Sequence, residues 1–203
     1  MSLYQRALGN PFVYNHVRPL ATGGIDMSPL YRRLETRPDS VVLDIGCGTG
    51  DALRYVSTFQ RYVGVDTDEV AVRFARERYA GRSQVSFECR IVTAEDIAAL
   101  APTHVVMAGL LHHLSDDQVR GLLRDVRRAP TAPRIVTQDI VYLQGKRFSN
   151  LLASLDRGRF CRKRPEYEAL VQESGFRLRE SEIVRCHPRT GLAWYLMMTL
   201  EPA

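Results

Sequence analysis

A glycine-rich turn carries the clearest chemical signal in the sequence. The apolar run Val41–Ile45 is followed by glycines at alternate positions, Gly46, Gly48 and Gly50. Closely spaced glycines let the backbone turn tightly and approach a ligand, and free N–H groups at the start of a helix favour negative charge. The pattern therefore predicts a strand, a nucleotide-type binding turn and a helix in direct succession.

A carboxylate farther along the chain narrows the choice of ligand. Asp66 lies 20 residues beyond Gly46, at the end of a second β-rich run, and it could accept hydrogen bonds from both hydroxyls of a ribose. The dinucleotide fingerprint requires a third glycine three residues after the second, but Asp51 stands there and would repel a pyrophosphate. We therefore expect a ligand with a ribose and no diphosphate, which disfavours NAD.

Two adjacent histidines follow the fourth β-rich run, His104–Ala108. Ligands of open α/β sheets bind at the carboxyl ends of the strands, and a neutral imidazole is a suitable general base near neutral pH. His112 and His113 are therefore candidate catalytic residues. One or both could instead hydrogen-bond the backbone at the entry of the next helix, and both interpretations stay open.

A basic segment is the candidate substrate-binding region. Asp156–Arg164 has five cationic residues among nine, including Arg157, Arg159 and Arg162. Arginine binds carboxylate or phosphate through two parallel hydrogen bonds, which favours an acidic small molecule. RNA and a merely solvated loop are the alternatives. Tyr14 and His187 could also reach the substrate, although packing explains them as well.

These residues need a scaffold, and the hydrophobic pattern predicts one. Short β-rich runs alternate with amphipathic segments from about residue 40 onwards, which is typical of an α/β fold. Leu53, Val56 and Phe59 predict a helix directly after the glycine turn. Two final runs, around 176–184 and 192–200, have no helix between them and predict an antiparallel pair at the sheet edge.

Composition limits the class of protein. With 203 residues, 45% hydrophobic and 25% charged, and a net charge of +5, the chain is expected to form one globular domain. No apolar run is long enough for a membrane span and no secretory signal is present, so we expect a cytoplasmic protein without membrane contact. The four cysteines are far apart and include no CxxC pair, so no metal site is expected.

The motifs, taken in order, resemble those of the class I S-adenosylmethionine-dependent methyltransferases over about residues 38–128. They are Asp44-x-Gly46-x-Gly48-x-Gly50, Val65-Asp66, Thr93-Ala94-Glu95-Asp96 and His112-His113-Leu114. The resemblance implies a doubly wound three-layer α/β sandwich of the Rossmann-like methyltransferase type. Its sheet would have seven strands, mostly parallel, with the last strand antiparallel.

The resemblance also implies roles toward the cofactor, S-adenosyl-L-methionine. The methionine end would be held by Asp44 and by the turn Gly46–Gly50, which includes Cys47, with Ala108 and Gly109 lining the same side. Asp66 would bind the ribose, and the neighbouring Thr67 is assigned to the same site. Thr93 and Ala94 would flank the adenine. Because this family often has Asp at the position of Thr93, Glu95 or Asp96 would contact the adenine amino group instead.

We therefore expect a methyltransferase that acts on an oxygen atom of an acidic small metabolite, with nitrogen or carbon as the less favoured acceptor atoms. An RNA methyltransferase and a non-catalytic S-adenosylmethionine-binding protein are the alternatives.

Residues 1–37 are expected to form an N-terminal extension or lid, and 38–203 the methyltransferase domain, with a substrate cover around 145–164. Ala108-Gly109-Leu110-Leu111 follows the fourth strand, so the Asn-Pro-Pro-aromatic run of adenine and glutamine methyltransferases and a metal-binding carboxylate are both absent there. The oligomeric state is left open.

Overall fold

In the computed structural model, which describes residues 26–155 and 158–203, helices pack on both faces of an eight-stranded sheet. The strands are β1 Val41–Ile45, β2 Arg61–Asp66, β3 Val85–Cys89, β4 His104–Ala108, β5 Arg134–Tyr142, β6 Arg162–Lys163, β7 Phe176–Arg185 and β8 Trp194–Pro202. The helices are α1 Ser28–Arg32, α2 Glu69–Arg78, α3 Ala94–Leu100, α4 Asp116–Arg127, α5 Arg147–Leu155 and α6 Arg164–Glu173, with 3₁₀ helices at Asp51–Arg54 and Leu111–His113.

The strand order is β3-β2-β1-β4-β5-β8-β7, and β1 to β5 run parallel. β8 pairs antiparallel with both β5 and β7, so the predicted antiparallel pair is confirmed, and β7 lies at one edge of the sheet. The two-residue β6 pairs with the end of β5 and was not predicted. The doubly wound α/β fold expected from the sequence is therefore confirmed.

The helix predicted after the glycine turn is wrong in length. Only a single 3₁₀ turn forms there, Asp51–Arg54. Its N-cap is Gly50, which has no side chain to accept a hydrogen bond, and the following Val56, Ser57 and Thr58 have low helix propensity. The predicted apolar positions are nevertheless buried. Their spacing therefore reflected burial rather than a continuous helix.

Two hydrophobic clusters lie on opposite faces of the sheet. Alternate residues of β5 contribute to different clusters, Ile135 to one and Val136 to the other. α4 and α6 pack into the first cluster, whereas α1 and α2 pack into the second. This arrangement leaves the carboxyl ends of the parallel strands at one common edge, where the glycine turn, Asp66 and Gly109 lie at the ends of β1, β2 and β4.

The described part of the segment expected to cover the substrate, 145–164, contains α5 and β6. Tyr14 and Arg157 lie outside the described residues. Among the residues that are described, no helix combines the length and the apolar character that a bilayer span requires.

Candidate functional site

The glycine turn after β1 adopts a backbone that side chains rarely tolerate. Gly46, Gly48 and Gly50 have φ of 77°, 50° and 74°. A Cβ on Gly50 would lie 2.8 Å from Phe87 Cζ, whereas a Cβ on Gly48 would meet no heavy atom of the described residues within 4 Å. Gly50 is therefore required for packing, and Gly48 leaves open space in which a ligand can approach the backbone.

Asp66 connects the end of β2 to this turn. Its Oδ2 accepts a hydrogen bond from Gly48 N at 2.8 Å, and its Oδ1 accepts one from Asp68 N at 2.9 Å. A carboxylate has about four lone-pair sites, so two such bonds leave capacity for ligand hydroxyls. The structure thus places Asp66 beside the glycine turn, and Thr67 is exposed next to it.

Asp44 lies beneath the turn. Its side chain is buried and accepts a hydrogen bond from the hydroxyl of Tyr62, a partner that the sequence analysis missed. Burial raises the pKa of Asp44 to about 7, against the lowering effect of the Tyr62 hydrogen bond. Burial also raises the pKa of the Cys47 thiol far above its ordinary value, so this cysteine stays protonated.

A second glycine turn follows β4, the neighbour of β1 in the sheet. Gly109 has φ of 71° and donates its N–H to Gln138 O at 2.6 Å. The nearest heavy atom to a Cβ on Gly109 would be His112 Cε1 at 3.8 Å, and a Cβ on Gly46 would lie 3.2 Å from Leu110 Cδ1. The two turns therefore adjoin each other, and Gly109, like Gly48, leaves room beside its backbone.

The segment after β3 is organised by a helix cap. Thr93 caps α3, and the Asp96 carboxylate accepts hydrogen bonds from Thr93 N, at 2.9 Å, and from Arg90. The pKa of Asp96 is lowered, chiefly by the backbone hydrogen bond from Thr93. Because Asp96 is engaged in the cap whereas Glu95 is exposed, Glu95 is the better placed of the two for an adenine amino group. Ala94 begins α3 beside them.

His112 is paired with a buried carboxylate. Asp139 Oδ1 lies 2.8 Å from His112 Nδ1 and accepts the His112 N–H at 3.1 Å. His112 is only 2% exposed, whereas the neighbouring His113 is exposed and its ring centroid lies 4.2 Å away. Burial raises the pKa of Asp139 against the lowering effect of His112.

Sequence reasoning missed Asp139, although a signal was present. Asp139 is a carboxylate inside the apolar run of β5, and among the described residues its buried Oδ2 has no hydrogen-bond partner. Charged residues are rarely buried unless they are paired, so such a position marks either a functional or a positioning role.

The structure corrects the expectation for Arg162 as a substrate ligand. Its side chain is buried, and its guanidinium binds Asp116 and the carbonyl oxygens of Leu111, Leu114 and Phe160. Its donors are therefore directed into the protein. Arg159, by contrast, is exposed.

His187 lies in the loop between β7 and β8, half-buried, with Thr190 Oγ1 2.9 Å from its Nδ1. Because Tyr195 at the start of β8 pairs with Ile140 near the end of β5, this loop lies at the same edge of the sheet as the glycine turns. Its substrate role stays a prediction.

Comparison with known proteins gives the relationships of the chain. Residues 42–131 match the family model described as a methyltransferase domain. A stretch of 62 residues is 31% identical to the mRNA cap guanine-N(7) methyltransferase of Eremothecium gossypii, and it covers 30% of this chain but only 14% of that protein.

Solved structures share the fold. A chain from the complex between a Haloferax volcanii methyltransferase activator and a methyltransferase has a TM-score of 0.72 at 14% identity, over 98% of both chains. A SAM-dependent methyltransferase from Methanosarcina mazei has a TM-score of 0.66 at 16% identity, over 88% of this chain and 99% of that one. At such identities the likeness concerns the fold.

Proposed function

Because the chain belongs to the class I S-adenosylmethionine-dependent methyltransferases, we propose that it methylates an oxygen atom of a small acidic acceptor. The observation that carries the proposal is the buried His112–Asp139 pair, directly behind the second glycine turn. Such a pair can take up the proton of an acceptor hydroxyl where a methyl donor would lie.

The residues fit S-adenosylmethionine as the cofactor. The open space beside Gly48 and Gly109 supports binding of the methionine end between the two turns. Asp66 would bind the ribose, and Thr93 with Glu95 the adenine. The cofactor supplies an activated methyl group whose leaving group needs no acid. The protein's tasks are therefore to align the acceptor, to exclude water and to remove a proton.

His112 is suited to proton removal because its orientation is fixed. Asp139 binds Nδ1, so a proton exchanged with an acceptor would be carried by Nε2, and the carboxylate would stabilise the resulting imidazolium. His112 Cε1 lies on the side of Gly109, toward the proposed cofactor position. The exposed His113 would lie beside the acceptor entry.

An acidic acceptor is supported by Arg159. It is exposed, and the next residue, Phe160, donates its backbone N–H to His112 O at 3.0 Å. A cationic side chain next to the histidine turn could bind an acceptor carboxylate or phosphate.

The first test is direct. Methyl-labelled S-adenosylmethionine should transfer its label to the acidic small-molecule fraction of a cell extract, and S-adenosylhomocysteine should bind in calorimetry.

His112→Asn and Asp139→Asn should lower turnover by about 10²–10⁴-fold, the usual contribution of a general base, with unchanged S-adenosylhomocysteine affinity. If His113→Asn alone abolished turnover, the base would be His113. Binding of NAD without binding of S-adenosylhomocysteine would refute the whole proposal.

RNA methylation is the second candidate. It is favoured by the similarity of 62 residues to an mRNA cap methyltransferase. The same labelling experiment separates the candidates, because label would then appear in added RNA rather than in small molecules. Binding of S-adenosylhomocysteine without transfer to either fraction would favour a non-catalytic binding protein.

A further inference from the structure

Arg162 ties the segment that follows α5 to the turn that carries His112. We propose that Arg162 is a positioning residue that holds the 3₁₀ turn Leu111–His113 in place and thereby orients His112. The consequence for catalysis rests on the proposed function, whereas the contact itself does not.

The guanidinium makes five hydrogen bonds to four acceptors. Nη1 donates to Leu111 O and Phe160 O, both at 2.9 Å, and Nη2 donates to Leu114 O at 2.7 Å. Nε and Nη2 both donate to Asp116 Oδ1, at 2.9 and 2.7 Å. Two of these acceptors are carbonyl groups on either side of the histidines, so one side chain spans the whole turn.

The same segment contacts His112 at two further places. Phe160 N donates to His112 O at 3.0 Å, and a Cβ added to Gly158 would lie only 2.1 Å from His112 Cδ2. Asp139 binds the imidazole from β5. His112 is therefore held by two separate parts of the chain, β5 through Asp139 and the segment 158–162, in which Arg162 fixes the backbone of the turn.

The choice of arginine has a physical reason. A buried cation is costly unless its hydrogen bonds are satisfied, and here a carboxylate and three carbonyl groups satisfy them. The planar guanidinium reaches acceptors in several directions, whereas an ammonium group offers three donors from a single point. The carbonyl groups of a short 3₁₀ helix otherwise have few intrahelical partners. Leu111 O accepts the N–H of Leu114 within the turn at 3.2 Å, and Arg162 gives this carbonyl a second donor and Leu114 O a side-chain donor.

The test compares Arg162→Gln and Arg162→Lys with a matched control, Arg164→Gln. Arg164 is two residues away and binds Glu168 and Ser181 O on another side of α6. Hydrogen exchange of the amides in 110–115 and the imidazole nitrogen shifts of His112 are measured on the full chain. We expect exchange in Arg162→Gln to rise about tenfold or more, which corresponds to about 1.4 kcal/mol. The imidazole nitrogen signals of His112 should also shift. Exchange in Arg162→Lys should lie between the rates of Arg162→Gln and the wild type, and Arg164→Gln should match the wild type.

The outcomes are separable from the proposed function. Unchanged exchange and unchanged His112 signals in Arg162→Gln would overturn the inference, and so would full restoration by lysine. If Arg162→Gln does not fold, Asp116→Asn gives the same comparison, because it removes the carboxylate that aligns the guanidinium.

Once an acceptor is known, kcat should fall in Arg162→Gln with an unchanged dissociation constant for S-adenosylhomocysteine. A lowered melting temperature with unchanged kcat would make Arg162 a purely structural residue. Failure of methyl transfer in the wild type would refute the function and leave the exchange result intact.

Discussion

Asp66 is the residue on which cofactor binding should depend most strongly. We predict that Asp66→Ala weakens S-adenosylhomocysteine binding by about 1.5–3 kcal/mol, because charge-assisted hydrogen bonds to the ribose are lost. Isothermal calorimetry measures this change. The control is Asp68→Asn, which removes a charge two residues away and keeps a good N-cap for α2. An unchanged dissociation constant in Asp66→Ala would exclude the ribose role.

Asp44 should give the folded protein a distinctive pH dependence. Its pKa is about 7 when folded instead of 3.8, so the folded state holds a proton that the unfolded state has released. This contribution to the free energy of unfolding is fully present below pH 3.8 and is lost as the pH rises through about 7. In urea titrations the stability of wild type relative to Asp44→Asn should fall by about 2–4 kcal/mol over this range, at about 1.4 kcal/mol per pKa unit. Parallel pH profiles would contradict the assignment.

At the scale of elements, two glycines in different surroundings should respond to alanine in opposite ways. A Cβ on Gly158 would clash with the His112 ring, whereas a Cβ on Gly121, inside α4, would meet nothing within 4 Å in the part of the chain that the structure describes. We predict that Gly158→Ala lowers the free energy of unfolding by about 1–3 kcal/mol through overpacking. Gly121→Ala should raise it by about 0.5–1 kcal/mol, because alanine loses less backbone entropy in a helix. Chemical denaturation measures the free energy of unfolding of both variants. A Gly158→Ala variant as stable as the wild type would contradict the predicted overpacking and show that the loop can move aside.

The ends of α4 and α6 carry local signals in the sequence. The Ser115–Gln118 capping box begins α4, Pro165 lies in the first turn of α6, and Gly175 follows that helix with φ of 82°. Caps depend on a few neighbouring residues, so a short stretch of sequence reveals them. The helix predicted after Gly50 failed, because burial of Leu53, Val56 and Phe59 comes from the sheet above them rather than from helical geometry.

For the molecule as a whole, the cofactor should stabilise the fold and NAD should not. S-adenosylhomocysteine at a hundredfold excess over its dissociation constant should add about 2.7 kcal/mol by linkage, seen as a higher melting temperature. The expected signature is a concentration-dependent shift that shrinks in Asp66→Ala. A shift with NAD and none with S-adenosylhomocysteine would contradict the cofactor assignment.

The sequence alone determined the α/β class, the glycine turn and the position of Asp66. These features are contiguous motifs or periodic patterns, and short-range sterics and hydrogen bonding impose them whatever the rest of the chain does. The order of the parallel strands then brings the turns after β1 and β4 side by side.

The tertiary structure alone decided which residues surround His112. Asp139 and His112 are 27 residues apart, and Arg162 and Asp116 are 46 apart. Their contacts arise because β4, β5 and β6 are neighbours in the sheet, a relation that no local pattern encodes. For the same reason Arg162, whose charge and position suggested a substrate ligand, is buried beside the histidine turn: the need of a buried guanidinium for acceptors is satisfied by backbone carbonyl groups that only the folded chain brings to it.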